Sequence, residues 1–74
     1  MPTIDHFRKQ AKLHLRWHRT GYHPVAAIIR ETLPRFATLS DLDILRAAFK
    51  LADAQELVAR KAGFDSWPAL LKEH

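Results

Sequence analysis

A chain of 74 residues has the size of one small domain, residues 1–74, and its lack of cysteine excludes disulfides and every thiolate metal site. Hydrophobic residues at 47% with 27% charged describe a globular rather than a disordered chain, and no apolar run approaches the ~20 residues of a membrane span. The formal charge of +4 is concentrated at the start, where Arg8, Lys9, Lys12, Arg16 and Arg19 stand against Asp5 alone, and this points to an anionic partner.

The opening "MPTIDHFRKQ" lacks a signal-peptide core, so the expectation is a soluble cytoplasmic protein. Thr3 is placed to N-cap a helix over "IDHFRKQAKLHLRWHR", and Gly21 supplies its stop. Pro24 sits in the first turn of "HPVAAIIRETL", where its missing N–H costs nothing, and Pro34 ends that helix. "LSDLDILRAAF" carries Ser40 three residues before Asp43, a variant of the capping box. "ADAQELVARKAG" repeats the device with Asp53 and Glu56, and Gly63 closes it in the left-handed region. Asp65 or Ser66 caps "WPALLKEH", with Pro68 inside its first turn. No stretch alternates apolar and polar residues as a strand would. The predicted fold is all-α, a compact bundle of about five short helices with a helix-turn-helix-like corner at the C-terminus.

At 100° per residue the first helix has three faces. Ile4, Phe7, Ala11, Leu15 and His18 form one apolar stripe, with His14 at its margin. Arg8, Lys9, Lys12, Arg16 and Arg19 form a basic band opposite, and Leu13 with Trp17 forms a second, smaller apolar strip. Two strips imply two neighbours, or one neighbour and one partner. In the fourth helix Ala54, Leu57 and Val58 share a face with Lys61 and Ala62. Phe64 and Trp67 then bracket the turn, so Gly63, Phe64, Ser66 and Trp67 read as a packing corner closed by two buried aromatics.

The C-terminal corner has the spacing of a DNA-binding helix-turn-helix at Val58-Ala59, Ala62-Gly63-Phe64 and Ala69. The positions that would meet base edges, however, are Asp65, Ser66, Trp67 and Pro68, none of them a base reader. The basic band is the stronger candidate, able to neutralise several phosphates or an acidic protein surface. Membrane docking is disfavoured because the apolar stripe is needed for the core. His14 and His18 project from one side and His23 follows the glycine, but without a carboxylate or cysteine beside them a histidine pair is a weak metal signal, and no cofactor is expected. Asp41, Asp43, Asp53, Glu56, Ser40 and Ser66 are all accounted for as helix-start residues, and no glycine-rich phosphate loop exists, so an enzyme is not expected.

The stretch "LADAQELVARKAGFDSWPALLKE" resembles a short all-helical segment of bacterial proteins. Its pattern, L-A-D-A-Q-x-x-x-A-R-x-x-G-F-x-S-W-x-x-L, is matched at Leu51 to Gln55, Ala59-Arg60, Gly63-Phe64, Ser66-Trp67 and Leu70. "FRKQAKLHLRWHR" and "LPRFATLSDLDIL" are similar to the companion part of that segment, so the resemblance spans nearly the whole chain. Such segments accompany ankyrin repeats or a glyoxalase-like (vicinal-oxygen-chelate) domain. The resemblance implies an accessory helical module, free-standing or part of a longer chain, and brings no catalytic residue with it.

The expectation is therefore a non-catalytic interaction module that binds a protein partner or self-associates, anchored by exposed Leu13 and Trp17. The alternative is a small basic nucleic-acid-binding protein that grips phosphates with its first helix.

Overall fold

Thr3 opens the first helix in the computed structural model, which describes residues 3–73: its hydroxyl accepts from the His6 N–H at 3.3 Å. Five α-helices follow, α1 (Ile4–Arg19), α2 (His23–Thr32), α3 (Asp41–Arg46), α4 (Leu51–Lys61) and α5 (Trp67–Glu73), with one 3-10 turn at Pro34–Phe36. There is no strand among the described residues. The predicted fifth helix runs on to His74, which lies outside them.

Both glycines end helices as the sequence requires. Gly21 and Gly63 have φ of 73° and 96°, the left-handed region that side chains resist. After α1 the Tyr22 N–H donates to the Trp17 carbonyl (2.9 Å) and the Gly21 N–H to that of His18 (3.2 Å). After α4 the Phe64 N–H donates to Ala59 (2.9 Å) and the Gly63 N–H to Arg60 (3.1 Å). Each set is a complete Schellman motif, which satisfies carbonyls that a helix end otherwise leaves open. Leu33 follows α2 in extended backbone, as the residue before Pro34 must, and the chain turns at once into the 3-10 segment.

The core is one cluster. Val25, Ala26 and Ile29 of α2, Leu33 just after it, Ile44 of α3, Ala54, Leu57 and Ala59 of α4, and Leu70 of α5 are all fully buried. α1 lies chiefly along α4, α2 against α3, and α5 against α4, while α2 also touches α1 and α4. The N-terminal half of α1 shares a groove with the last turn of α4, and His18 at its other end meets Phe49 just before α4 begins, so the two helices run antiparallel. The predicted α1 stripe is buried at Phe7, Ala11 and His18, with Leu15 half-buried. His14 is not marginal but a full member, 4% exposed.

Three predicted details change. The third helix stops at Arg46 instead of reaching Phe49. Ala47 turns to extended backbone, which carries Phe49 onto the His18 ring at 4.8 Å between centroids. Asp53 is not the N-cap of α4 but its third residue; Lys50 is the cap, and the Asp53 carboxylate accepts from the Lys50 N–H at 2.8 Å. Finally, Phe64 and Trp67 are half-buried rather than buried. They pack on the flank of the core, and Leu70, fully buried, is the apex that α5 inserts into it. Ser66 is the cap of α5, accepting from the Ala69 N–H at 3.3 Å, while Asp65 is exposed.

Leu70→Ala is therefore expected to cost about 2–5 kcal/mol, and Trp67→Ala less, about 1–3 kcal/mol, because much of the indole stays in contact with water. Urea denaturation of the two variants checks the order; a larger loss for Trp67→Ala would make the indole, not the leucine, the anchor of the corner.

Candidate interaction surface

Three arginines are engaged within the fold, while Arg46, at the end of α3, is exposed and makes no ion pair within 4.0 Å among the described residues. Arg30 on α2 pairs with Asp41 at the start of α3 and donates through Nε to the Leu39 carbonyl at 3.0 Å. Arg35 in the 3-10 turn pairs with Asp53 and, at 3.1 Å, with Glu56 on α4. Arg60 closes that set on Glu56 at 3.0 Å. These three clasp one element to another or brace α4, and each is at least half-spent on internal partners.

The α1 band is different. Arg8, Lys9, Lys12, Arg16 and Arg19 are all exposed. Arg8 meets Asp5 at 3.5 Å with both side chains largely in water, a pair of little energetic consequence. Among the described residues, Lys9, Lys12, Arg16 and Arg19 make no ion pair within 4.0 Å. Arg16 and Arg19 lie in the last turn, where they favour the helix dipole. Lys9 and Lys12 lie in the middle of the helix and have no such structural reason. Asp41 and Asp53, in the first turns of α3 and α4, and Glu56, midway along α4, are held by Arg30, Arg35 and Arg60.

Leu13 and Trp17 are half-buried instead of exposed. The Trp17 ring packs against the core and is held edge-on to His14 at 5.0 Å and tilted against Tyr22 at 5.1 Å. Tyr22 is the more open aromatic, 46% exposed, and the sequence reading missed it. Its signal was present: it is the residue after Gly21, and in a Schellman motif that position packs back on the last turn of its helix, here on Trp17. Leu13, Trp17 and Tyr22 thus form an apolar edge beside the cations, with the indole fixed from below.

The histidines are occupied by structure. A carbonyl oxygen only accepts, so His18 Nε2 carries the proton it donates to the Ile44 carbonyl, at 2.8 Å and 26 residues away in sequence. His14 Nδ1 likewise donates to the Gln10 carbonyl at 2.6 Å. Burial lowers the His14 pKa from its usual value, the Gln10 hydrogen bond works in the opposite direction, and the positive charge of Lys61 lowers it further. His23 is exposed at the first position of α2. Among the described residues no three histidine, aspartate or glutamate side chains are grouped to hold a metal.

Between α1 and the end of α4 lies a groove of about 190 Å³, floored by Phe7 and Val58 and walled by His6, Gln10, His14, Lys61 and Ala62. It is smaller than the ~300 Å³ of an ordinary small-molecule pocket. At the C-terminal corner α5 has seven residues, and its first turn presents half-buried Trp67, exposed Pro68 and half-buried Ala69. The Ser66 hydroxyl is engaged by the backbone. The corner thus carries Gly63, Phe64, Ser66 and Trp67 as packing and capping residues, with Asp65 exposed beside them. No described helix is long and apolar enough to cross a membrane.

Compared with known protein families, with curated proteins and with solved structures, the chain matches none.

The His14 shift has a sign that can be checked. Its pKa is lower in the fold than in the unfolded chain, so below about pH 6.5 the unfolded chain takes up a proton that the fold resists. The stability that His14 contributes is complete above that pH and is lost as pH falls toward its folded pKa. Thermal melts at about pH 7.5 and 5.5 are expected to show a fall in Tm that His14→Gln reduces. An equal fall in the variant would assign the acid sensitivity to other groups.

Proposed function

We propose that the protein is a non-catalytic, cytoplasmic accessory module that presents the basic face of α1 to an acidic surface of a protein partner. The observation that carries this reading is the run of free cations on one helix, at Lys9, Lys12, Arg16 and Arg19, whereas Arg30, Arg35 and Arg60 are engaged internally and exposed Arg46 is a single cation on α3. Beside them Leu13, Trp17 and Tyr22 supply an apolar edge, and a half-buried tryptophan with neighbouring arginines is the composition of an interface anchor. The resemblance of residues 51–70 to bacterial helical segments that accompany larger domains supports the accessory role. Self-association through the same face is less favoured, because it would bring two cationic bands together.

The free cations also support a second reading, in which α1 grips nucleic-acid phosphates through Arg8, Lys12, Arg16 and Arg19. A duplex that engages three to five phosphates would show a log–log salt slope of about −3 to −4.5. Fluorescence anisotropy with a labelled glutamate-rich peptide and with labelled random duplex DNA, at about 50 and 200 mM salt, separates the two. The peptide is expected to bind and the DNA not. The triple variant Lys12→Gln, Arg16→Gln, Arg19→Gln is expected to weaken the peptide at least about tenfold while costing no more than about 0.5 kcal/mol of stability per exposed site. DNA binding with the stated slope, lost in that variant, would replace the protein-partner reading.

A further inference from the structure

The α1–α4 groove lies on the same side of α1 as the apolar edge. At 100° per residue His6, Gln10, Leu13 and Trp17 fall within 60° of one another, and Lys9 and Arg16 lie along their outer margin. Trp17 meets His14, and His14 lines the groove, so the apolar edge continues directly into it. The opposite wall is the end of α4, with Val58 at the floor and exposed Lys61 and Ala62 at the rim. An apolar floor with Lys61 on the α4 rim, and with Lys9 and Arg16 beyond the His6–Gln10 wall on α1, is complementary to an amphipathic segment that carries acids on either side of an apolar row. The volume sets the scale. About 190 Å³ suits one large side chain and not a metabolite.

We propose that this groove seats one apolar side chain of an acidic, amphipathic helical segment of a partner protein. Lys61 on the α4 rim, and Lys9 and Arg16 beyond the α1 wall, meet the flanking carboxylates. The inference rests on the protein-partner reading above and deepens it: the basic face steers the partner, and the groove fixes its register. His14 suits the wall because its Nδ1 proton is already donated to Gln10 and burial favours the uncharged ring. An apolar side chain can therefore lie against it without stranding a charge. A second copy of this chain fits less well, since cations flank the groove on both sides and the copy would have to bring an acidic helix to them.

The test compares two labelled peptides of about 16 residues, long enough to hold a helix once bound. One carries glutamates with a row of leucines at helical spacing; in the other the leucines are glutamines. The leucine peptide is expected to bind at least about tenfold more tightly, the gain of burying one large apolar side chain. Backbone amide shifts are expected at Phe7, Gln10, Val58 and Ala62. Ala62→Phe, which fills the groove from its exposed rim, and Lys61→Glu, which reverses one rim charge, are each expected to remove the leucine preference while melting normally. Equal binding of the two peptides would overturn the groove and leave the basic-face reading standing. Binding of neither peptide, or of duplex DNA alone, would overturn both. Groove amide shifts that grow with protein concentration in the absence of peptide would assign the groove to a second copy and overturn the proposal.

Discussion

The His18 imidazole ties together parts of the chain that local forces would leave apart. It leaves α1, donates to the carbonyl of Ile44 at the end of α3, and lies flat beneath Phe49 on the approach to α4. Phe49 in turn meets Phe36 of the 3-10 turn edge-on at 6.4 Å, so one ring organises four segments. A domain of this size buries only roughly 60% of its unfolded surface and has no cross-link to compensate. It therefore depends on contacts of long sequence separation that each settle several things at once. The hydrogen bond adds a second donor to an Ile44 carbonyl that also accepts from the Ala47 N–H, the ring replaces a missing apolar side chain, and the turn out of α3 is fixed by where Phe49 must go.

Charge is divided by the same economy. Asp41 and Asp53 sit in first turns, where a carboxylate favours the helix dipole, and each also receives an arginine from a different element. One residue type thus starts a helix and orients it. Pairs this exposed are individually weak, but they draw the acids of the chain toward α3 and α4. What remains on α1 is an excess of positive charge with no internal partner. The free surface of α1 is thus partly a consequence of how the other helices are begun and held.

Local chemistry made most of the fold legible in the sequence. Thr3, Ser40 and Ser66 cap, Gly21 and Gly63 terminate, and Pro24, Pro34 and Pro68 fall where a missing N–H is harmless; each of these acts within four residues of itself. The features that differ are tertiary. Phe49 belongs by pattern to the third helix, and only the His18 ring explains why the helix stops short. Trp67 has the size of a core residue, yet α5 is seven residues long and its single buried apex is Leu70. The basic band was readable because its residues all lie on one helix. The groove was not, since it requires knowing that α1 and α4 run antiparallel. Tyr22 needed the Schellman geometry around Gly21 to bring it back over Trp17.

The fold also constrains what kind of recognition is available. Its one turn shaped like a DNA-reading corner spends Ser66 on capping and Trp67 on packing, and His14 and His18 are engaged by Gln10 and Ile44, so these polar groups hold the small bundle together. α1 escapes this because its length of 16 residues exceeds what the core can cover. One face packs on α4 and another touches α2, while the cationic band is left to water, bordered by half-buried Leu13 and Trp17. Exposed large apolar side chains elsewhere, Leu42 on α3 and Leu51 on α4, are isolated and do not border a band of cations as the apolar edge of α1 does.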